Sequence, residues 1–107
     1  MKINEDILSP NTQAHHLLVV DDDRINRELL MHLFERDYRV SAAMGGREAL
    51  DLLETEPDID LVMLDIMMPN MSGLDVLGEI RENPKTRDLP VILISAMANT
   101  RDVVNGL

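Results

Sequence analysis

The sequence predicts an α/β fold, a doubly wound parallel sheet with helices on both faces. Three observations predict it. Four short apolar or alternating runs, at 17–20, 38–42, 61–64 and 91–94, recur along the chain. Each is followed by residues at helical spacing or by the start of such a stretch. The run at 61–64, LVML, has no polar alternation, as expected of a strand buried on both faces. Strand and helix alternating through short connections, with right-handed crossovers, give a parallel sheet.

Residues 1–16 hold no sustained periodicity and include Pro10, Asn11, Thr12 and Gln13. They read as a flexible lead-in to one domain over 17–107. His15 and His16 are adjacent, and adjacent side chains rarely converge on a metal, so the pair reads as linker. The first strand, 17–20, runs into Asp21, Asp22 and Asp23. Ile25, Leu29 and Leu33, with Leu30 and Phe34, then follow helical spacing through Arg36. Asp23 is placed to cap this helix, and Asp37 to end it in left-handed geometry. Tyr38, Val40 and Ala42 alternate with Arg39 and Ser41 as a second strand, and Gly45 and Gly46 turn the chain. Ala49, Leu50, Leu52 and Leu53 form a helix that ends before Pro57. The third strand stops at Asp65. Leu74, Leu77 and Ile80 line a helix over 73–82, closed by Asn83 and Pro84. Pro90 introduces the fourth strand, which ends at Ser95, and 99–107 reads as the first turns of another helix. There is no internal repeat or low-complexity segment.

A chain of 107 residues is one domain with a modest core, and its 45% apolar share suits a globular fold. A formal net charge of -10 argues against nucleic acid as a direct partner, since phosphates would be repelled. It is compatible with a site that gathers carboxylates and recruits a cation. With no cysteine there is no disulfide, thiolate catalysis or cysteine-based zinc site. No apolar run approaches membrane-spanning length and the N-terminus lacks a signal-peptide core, so a cytoplasmic location is expected.

In a parallel sheet the C-terminal ends of all strands share one edge, where open α/β sheets bind ligands. Three of those ends carry polar groups here: Asp21 with Asp22, Asp65, and Ser95. Each has a bland alternative. Asp65 can be a plain polar terminus, Asp22 a second helix cap, and Ser95 a strand-end residue bonded to backbone. Together they point elsewhere. Clustered carboxylates must hold a proton or bind a cation, and all-oxygen ligands favour a hard ion such as Mg²⁺. With a hydroxyl on a neighbouring strand, the layout suits phosphoryl transfer to a carboxylate.

VVDDD, LVMLDIMMPNMSGLDVL and PVILISA each resemble signatures of two-component response regulator receiver domains, in the right order and spacing over 17–107. The resemblance implies a flavodoxin-like fold with strand order 2-1-3-4, here without the family's fifth strand and fifth helix. It implies that Asp65 is the phosphoacceptor. Mg²⁺ (or Mn²⁺) would be held by Asp22, Asp65 and the main-chain carbonyl of Met67, with Asp21 acting mainly through water. Ser95 matches the hydroxyl that moves toward the phosphoryl group as the switch. Met67 and Met97 match positions that flank the hydrolytic water, and Pro69 and Gly73 match loop-shaping residues. The implied partner is a histidine kinase or a histidine phosphotransfer protein.

One departure stands out. The family's lysine on the fifth strand has no counterpart, and Lys85, in the loop before the fourth strand, lies at the far edge of the sheet. The resemblance implies a regulatory phosphoacceptor rather than an enzyme, with a non-switching binding or assembly module, lacking the fifth strand, as the alternative. In either case the uncovered fourth strand is expected to drive homo-oligomer formation. An aspartyl phosphatase would need a second acid two residues after Asp65, where Met67 stands.

Overall fold

The computed structural model describes residues 15–95. It holds four strands and three helices in strict alternation: β1 His16–Val20, α1 Arg24–Phe34, β2 Arg39–Ala43, α2 Gly46–Thr55, β3 Leu61–Asp65, α3 Gly73–Glu82 and β4 Val91–Ile94. The strands form one parallel sheet in the order β2-β1-β3-β4. Fold class and strand order match the expectation. The helix expected over 99–107 lies outside the described residues.

Alternation along the strands divides the core in two. Leu18, Val20, Val62 and Leu64 face α2 and α3, where they pack with Ala49, Leu53, Val76 and Ile80 in one buried cluster. Gly46 lets these helices approach, since a Cβ there would lie 2.6 Å from Val76 and 2.7 Å from the sulfur of Met71. The opposite face carries Leu17, Met63 and Ile92. Beside Phe34 and Tyr38 it keeps an open groove of about 470 Å³.

The helix caps follow the sequence. Asp23 accepts hydrogen bonds from the amides of Ile25 and Asn26 at the start of α1. Ser72 and Asp75 form a reciprocal capping box at the start of α3.

Three expectations need correction. His16 is not linker. It opens β1, is buried, and its ring meets the Ser41 hydroxyl at 2.7 Å. Its amide donates to Asp60 Oδ2 at 2.8 Å, and the ring lies 3.3 Å from Asp58 and 3.4 Å from Glu56. Asp37 does not end α1 in left-handed geometry, because among the described residues Asn70 alone of the non-glycines has a positive φ. Instead the amides of Glu35, Asp37 and Tyr38 close the helix on the carbonyls of Met31 and Phe34. Ile25, Leu29 and Leu33 do not face the core. Ile25 is 75% exposed, and α1 buries no residue fully. As expected of an uncovered strand, β4 lies at the edge of the sheet among the described residues, with Ile92 48% exposed and Leu93 also exposed.

Candidate functional site

β1 and β3 are central neighbours, and their register pairs Val20 with Leu64. The next residue on each strand is therefore an aspartate, Asp21 beside Asp65, at the C-terminal edge of the sheet. Carboxylate oxygens of Asp21, Asp22 and Asp65 lie within 4.8 Å of one another. Asp21 and Asp65 are each 1% exposed, while Asp22 is exposed.

Local bonding fixes the buried pair. The Asp21 amide donates to the Ala43 carbonyl at 3.1 Å, extending the β1–β2 ladder by one residue. Its Oδ1 accepts from the Asp23 amide at 2.9 Å, and Arg27 on α1 donates to its main-chain carbonyl at 2.8 Å. Asp65 Oδ1 accepts from the Met67 amide at 3.1 Å. Neither Asp21 Oδ2 nor Asp65 Oδ2 has a hydrogen-bond partner.

These surroundings set the acidity. The Asp65 carboxyl is raised to about 6, first by burial and then by the charges of Asp21 and Asp22, with the Met67 N–H partly offsetting them. Asp21 is also raised, first by burial, with the neighbouring Asp22 adding to it. Two buried oxygens without donors, beside a third, solvent-facing carboxylate, form a hard all-oxygen donor set. That set fits Mg²⁺.

The loop after β3 is shaped around Asp65. Met68 is buried beneath it, and Asn70 takes the left-handed conformation at φ 69, which asparagine tolerates. The Met71 amide closes on the Pro69 carbonyl at 2.7 Å, and the Gly73 amide returns to the Ile66 carbonyl at 2.9 Å. A Cβ on Gly73 would lie 2.8 Å from Ile66 Cα and closer still to the Asp65 carbonyl oxygen. Only glycine lets α3 start against the backbone of Asp65.

Ser95 is exposed and follows Ile94, the register partner of Asp65, so the hydroxyl residue stands one step beyond the acid on the adjacent strand. The Met67 side chain is exposed. Met97 lies outside the described residues. Lys85 is far from the acids in sequence and fold, with its ammonium 4.0 Å from Glu54. Sequence reasoning missed Arg27 and Asn70. The Pro69-Asn70 pair was a turn signal for the latter; nothing local marked the former.

Comparison with known proteins agrees with this geometry. The family model of the response regulator receiver domain matches residues 17–107. A probable transcriptional regulator, ycf27 of Cyanidium caldarium, is 43% identical over 98 residues, covering 91% of this chain and 38% of that protein. A probable cyclic di-GMP phosphodiesterase of Vibrio cholerae is 42% identical over 86 residues, covering 80% of this chain and 19% of that protein. The chain thus spans less than half the length of these two relatives. Among solved structures, the N-terminal domain of a response regulator receiver protein from Methanoculleus marisnigri aligns with a TM-score of 0.74 and 39% identity, over 86% of this chain and 75% of that one. The chemotaxis protein CheY4 of Vibrio cholerae aligns at 0.72 and 26% identity, over 86% and 77%. Receiver domains are regulatory signalling domains that generally bind Mg²⁺ at an acidic pocket, the chemistry read above from the three carboxylates. Family model, relatives and fold converge: this chain belongs to the response regulator receiver domains of two-component signalling.

Proposed function

We propose that the chain receives a phosphoryl group on Asp65 from a phosphohistidine, carried by a histidine kinase or a histidine phosphotransfer protein. The observation that supports this most is the buried Asp65 carboxylate, whose Oδ2 has no donor and lies beside Asp21 and Asp22. Asp65 Oδ2 attacks phosphorus. The bond from phosphorus to the donor imidazole nitrogen breaks, and that nitrogen leaves with the electron pair. Asp22, Asp65 and the Met67 carbonyl would hold Mg²⁺ or Mn²⁺, with Asp21 acting mainly through water. When bound, the cation neutralises charge that would otherwise repel the anionic donor.

The chain's own residues do the rest. The Met67 amide holds Oδ1 and leaves Oδ2 free to act as the nucleophile. Ser95 supplies the hydroxyl that closes on the acquired phosphoryl group and carries the switch. Pro69 and Gly73 shape the loop beside Asp65, Gly73 by letting α3 start against its backbone. Met67 and Met97 stand at the sequence positions that tune hydrolysis in the family, and a thioether orients water poorly, so the acyl phosphate is long-lived. The chain acts as a cytoplasmic regulator that modifies only itself, and it contacts neither nucleic acid nor membrane directly. No helix among the described residues is long and apolar enough to cross a membrane.

Incubation with acetyl phosphate and Mg²⁺, followed by intact mass, tests the reading. One added phosphoryl group, lost in Asp65→Asn and reduced by chelation, is the expected result. No addition, or equal addition to Asp65→Asn, overturns it.

A second reading has its own support. Ile92 and Leu93 are exposed on the edge strand β4, beside the groove lined by Leu17, Met63 and Phe34. Apolar edges of this type recruit another strand. Under this reading the chain is an assembly module that forms homo-oligomers through β4 without switching. Light scattering that finds a monomer at high concentration excludes it.

A further inference from the structure

Two exposed thioethers sit at the rim of the acid site. Met67 is 62% exposed and Met44 is 61% exposed. Met63 and Met68, by contrast, are buried, and Met31 and Met71 are half-buried. Both exposed methionines lie at the C-terminal edge of the sheet. Met44 directly follows β2 and, with Asp22, Met68 and Pro69, lines a recess of about 310 Å³. Met67 stands two residues after Asp65, its amide bonded to the Asp65 carboxylate. The chain has no cysteine, so thioethers are its only oxidisable sulfurs.

We propose that Met67, and secondarily Met44, are oxidation sites through which a peroxide shortens the lifetime of the phosphorylated state. This rests on the phosphoacceptor reading of Asp65. The step is an oxygen transfer. The thioether sulfur attacks one oxygen of hydrogen peroxide, the O–O bond breaks, and the proton on the transferred oxygen passes to the departing hydroxide, leaving a sulfoxide and water. Sulfur loses two electrons and the peroxide gains them. Hydrogen peroxide is uncharged, so the surrounding carboxylates do not repel it.

The consequence follows from hydrogen-bonding chemistry. A thioether accepts hydrogen bonds weakly and excludes water, whereas a sulfoxide oxygen is a strong acceptor. At Met67 it can orient a water near the Asp65 carboxylate. The backbone of Met67 is held by its bond to Asp65 Oδ1, so the new acceptor stays within one side-chain length of the reacting centre. Hydrolysis should rise on the order of threefold to tenfold, well below the roughly 10²–10⁴-fold of a rigidly positioned base.

The test treats this chain with hydrogen peroxide, maps each methionine by peptide mass, then phosphorylates with acetyl phosphate and Mg²⁺ and follows loss of the phosphoryl group by intact mass. Expected are oxidation of Met67 and Met44 well ahead of Met63 and Met68, and faster loss after treatment. In Met67→Leu the ratio of treated to untreated rates should fall toward one. Met67→Gln, with a permanent acceptor, should show fast loss without peroxide. If Met63 or Met68 oxidises as fast as Met67, the proposal fails. It also fails if the acyl phosphate decays equally before and after oxidation, in which case the phosphoacceptor reading survives. If the untreated chain takes up no phosphoryl group, that reading fails and this proposal with it.

Discussion

Replacing Asp65 by Asn should stabilise the fold at neutral pH and do little in acid. Asp65 is almost fully buried, and its carboxyl is raised from 3.8 to about 6. For an acid raised on folding, the native state holds the proton more tightly than the unfolded chain. Its stability contribution is complete below about pH 3.8 and is lost as pH rises through about 6. The interval corresponds to roughly 3 kcal/mol at neutral pH. Asparagine keeps an oxygen for the Met67 amide and presents an uncharged NH₂ to the unpartnered Asp21 Oδ2. It therefore escapes the loss. Urea unfolding of both proteins in chelator should show the variant gaining about 2 kcal/mol over the parent between about pH 4 and pH 7.5. Adding Mg²⁺ at pH 7.5 should narrow the gap by stabilising the parent more than the variant. A difference that is flat with pH, or a variant less stable at pH 7.5, would refute the burial of an uncompensated charge at Asp65.

Gly73→Ala should destabilise by about 1–3 kcal/mol, because its Cβ would collide with the Asp65–Ile66 backbone; a denaturation midpoint unchanged by the substitution would contradict the close approach. Asp22→Ala should weaken Mn²⁺ binding measured by titration, and equal affinity in both proteins would remove Asp22 from the ligand set. Exchanging Met67 for Asn and Met97 for Glu should speed loss of the phosphoryl group, and an unchanged or slower rate would defeat the water-exclusion account. His16→Ala should cost about 2–4 kcal/mol, since it empties a buried volume and strands the partners of the ring; calorimetry finding less than about 0.5 kcal/mol would show the contact to be dispensable.

The parts of this structure that were legible in the sequence are those governed by local rules. Apolar run length marked the strands, helical spacing marked the helices, and Asp23 and Asn83 marked helix ends close to their observed positions. The strand order implied by the resemblance to receiver domains sets the Asp21 and Asp65 ends side by side. What stayed hidden depends on distant partners. His16 looks like linker because the groups that satisfy it, Ser41 and Asp60, lie 25 and 44 residues away. The spacing of Ile25, Leu29 and Leu33 announced an amphipathic helix but could not say which stripe the sheet would cover; Leu30 and Phe34 are the half-buried ones.

The acidity of Asp65 is the sharpest case, because sequence can count nearby acids but cannot measure burial. Three aspartates on open loops would share water and stay near their ordinary acidity. Here β1 and β3 are the two inner strands of the sheet, Met68 is buried beneath the following loop, and α3 starts against the Asp65 backbone. Two of the three carboxylates are thereby removed from solvent and one is left exposed. That division matters for function. The buried acid is made more basic, and so a better nucleophile once ionised, while the exposed one remains available to a hydrated cation. Burial thus costs the apo fold stability at neutral pH, and cation binding would relieve the repulsion, while a phosphoryl group on Asp65 would add negative charge and so strengthen the hold on the cation. A site strained by its own charge in one state and relaxed in another has the energetic bias that a phosphorylation switch requires.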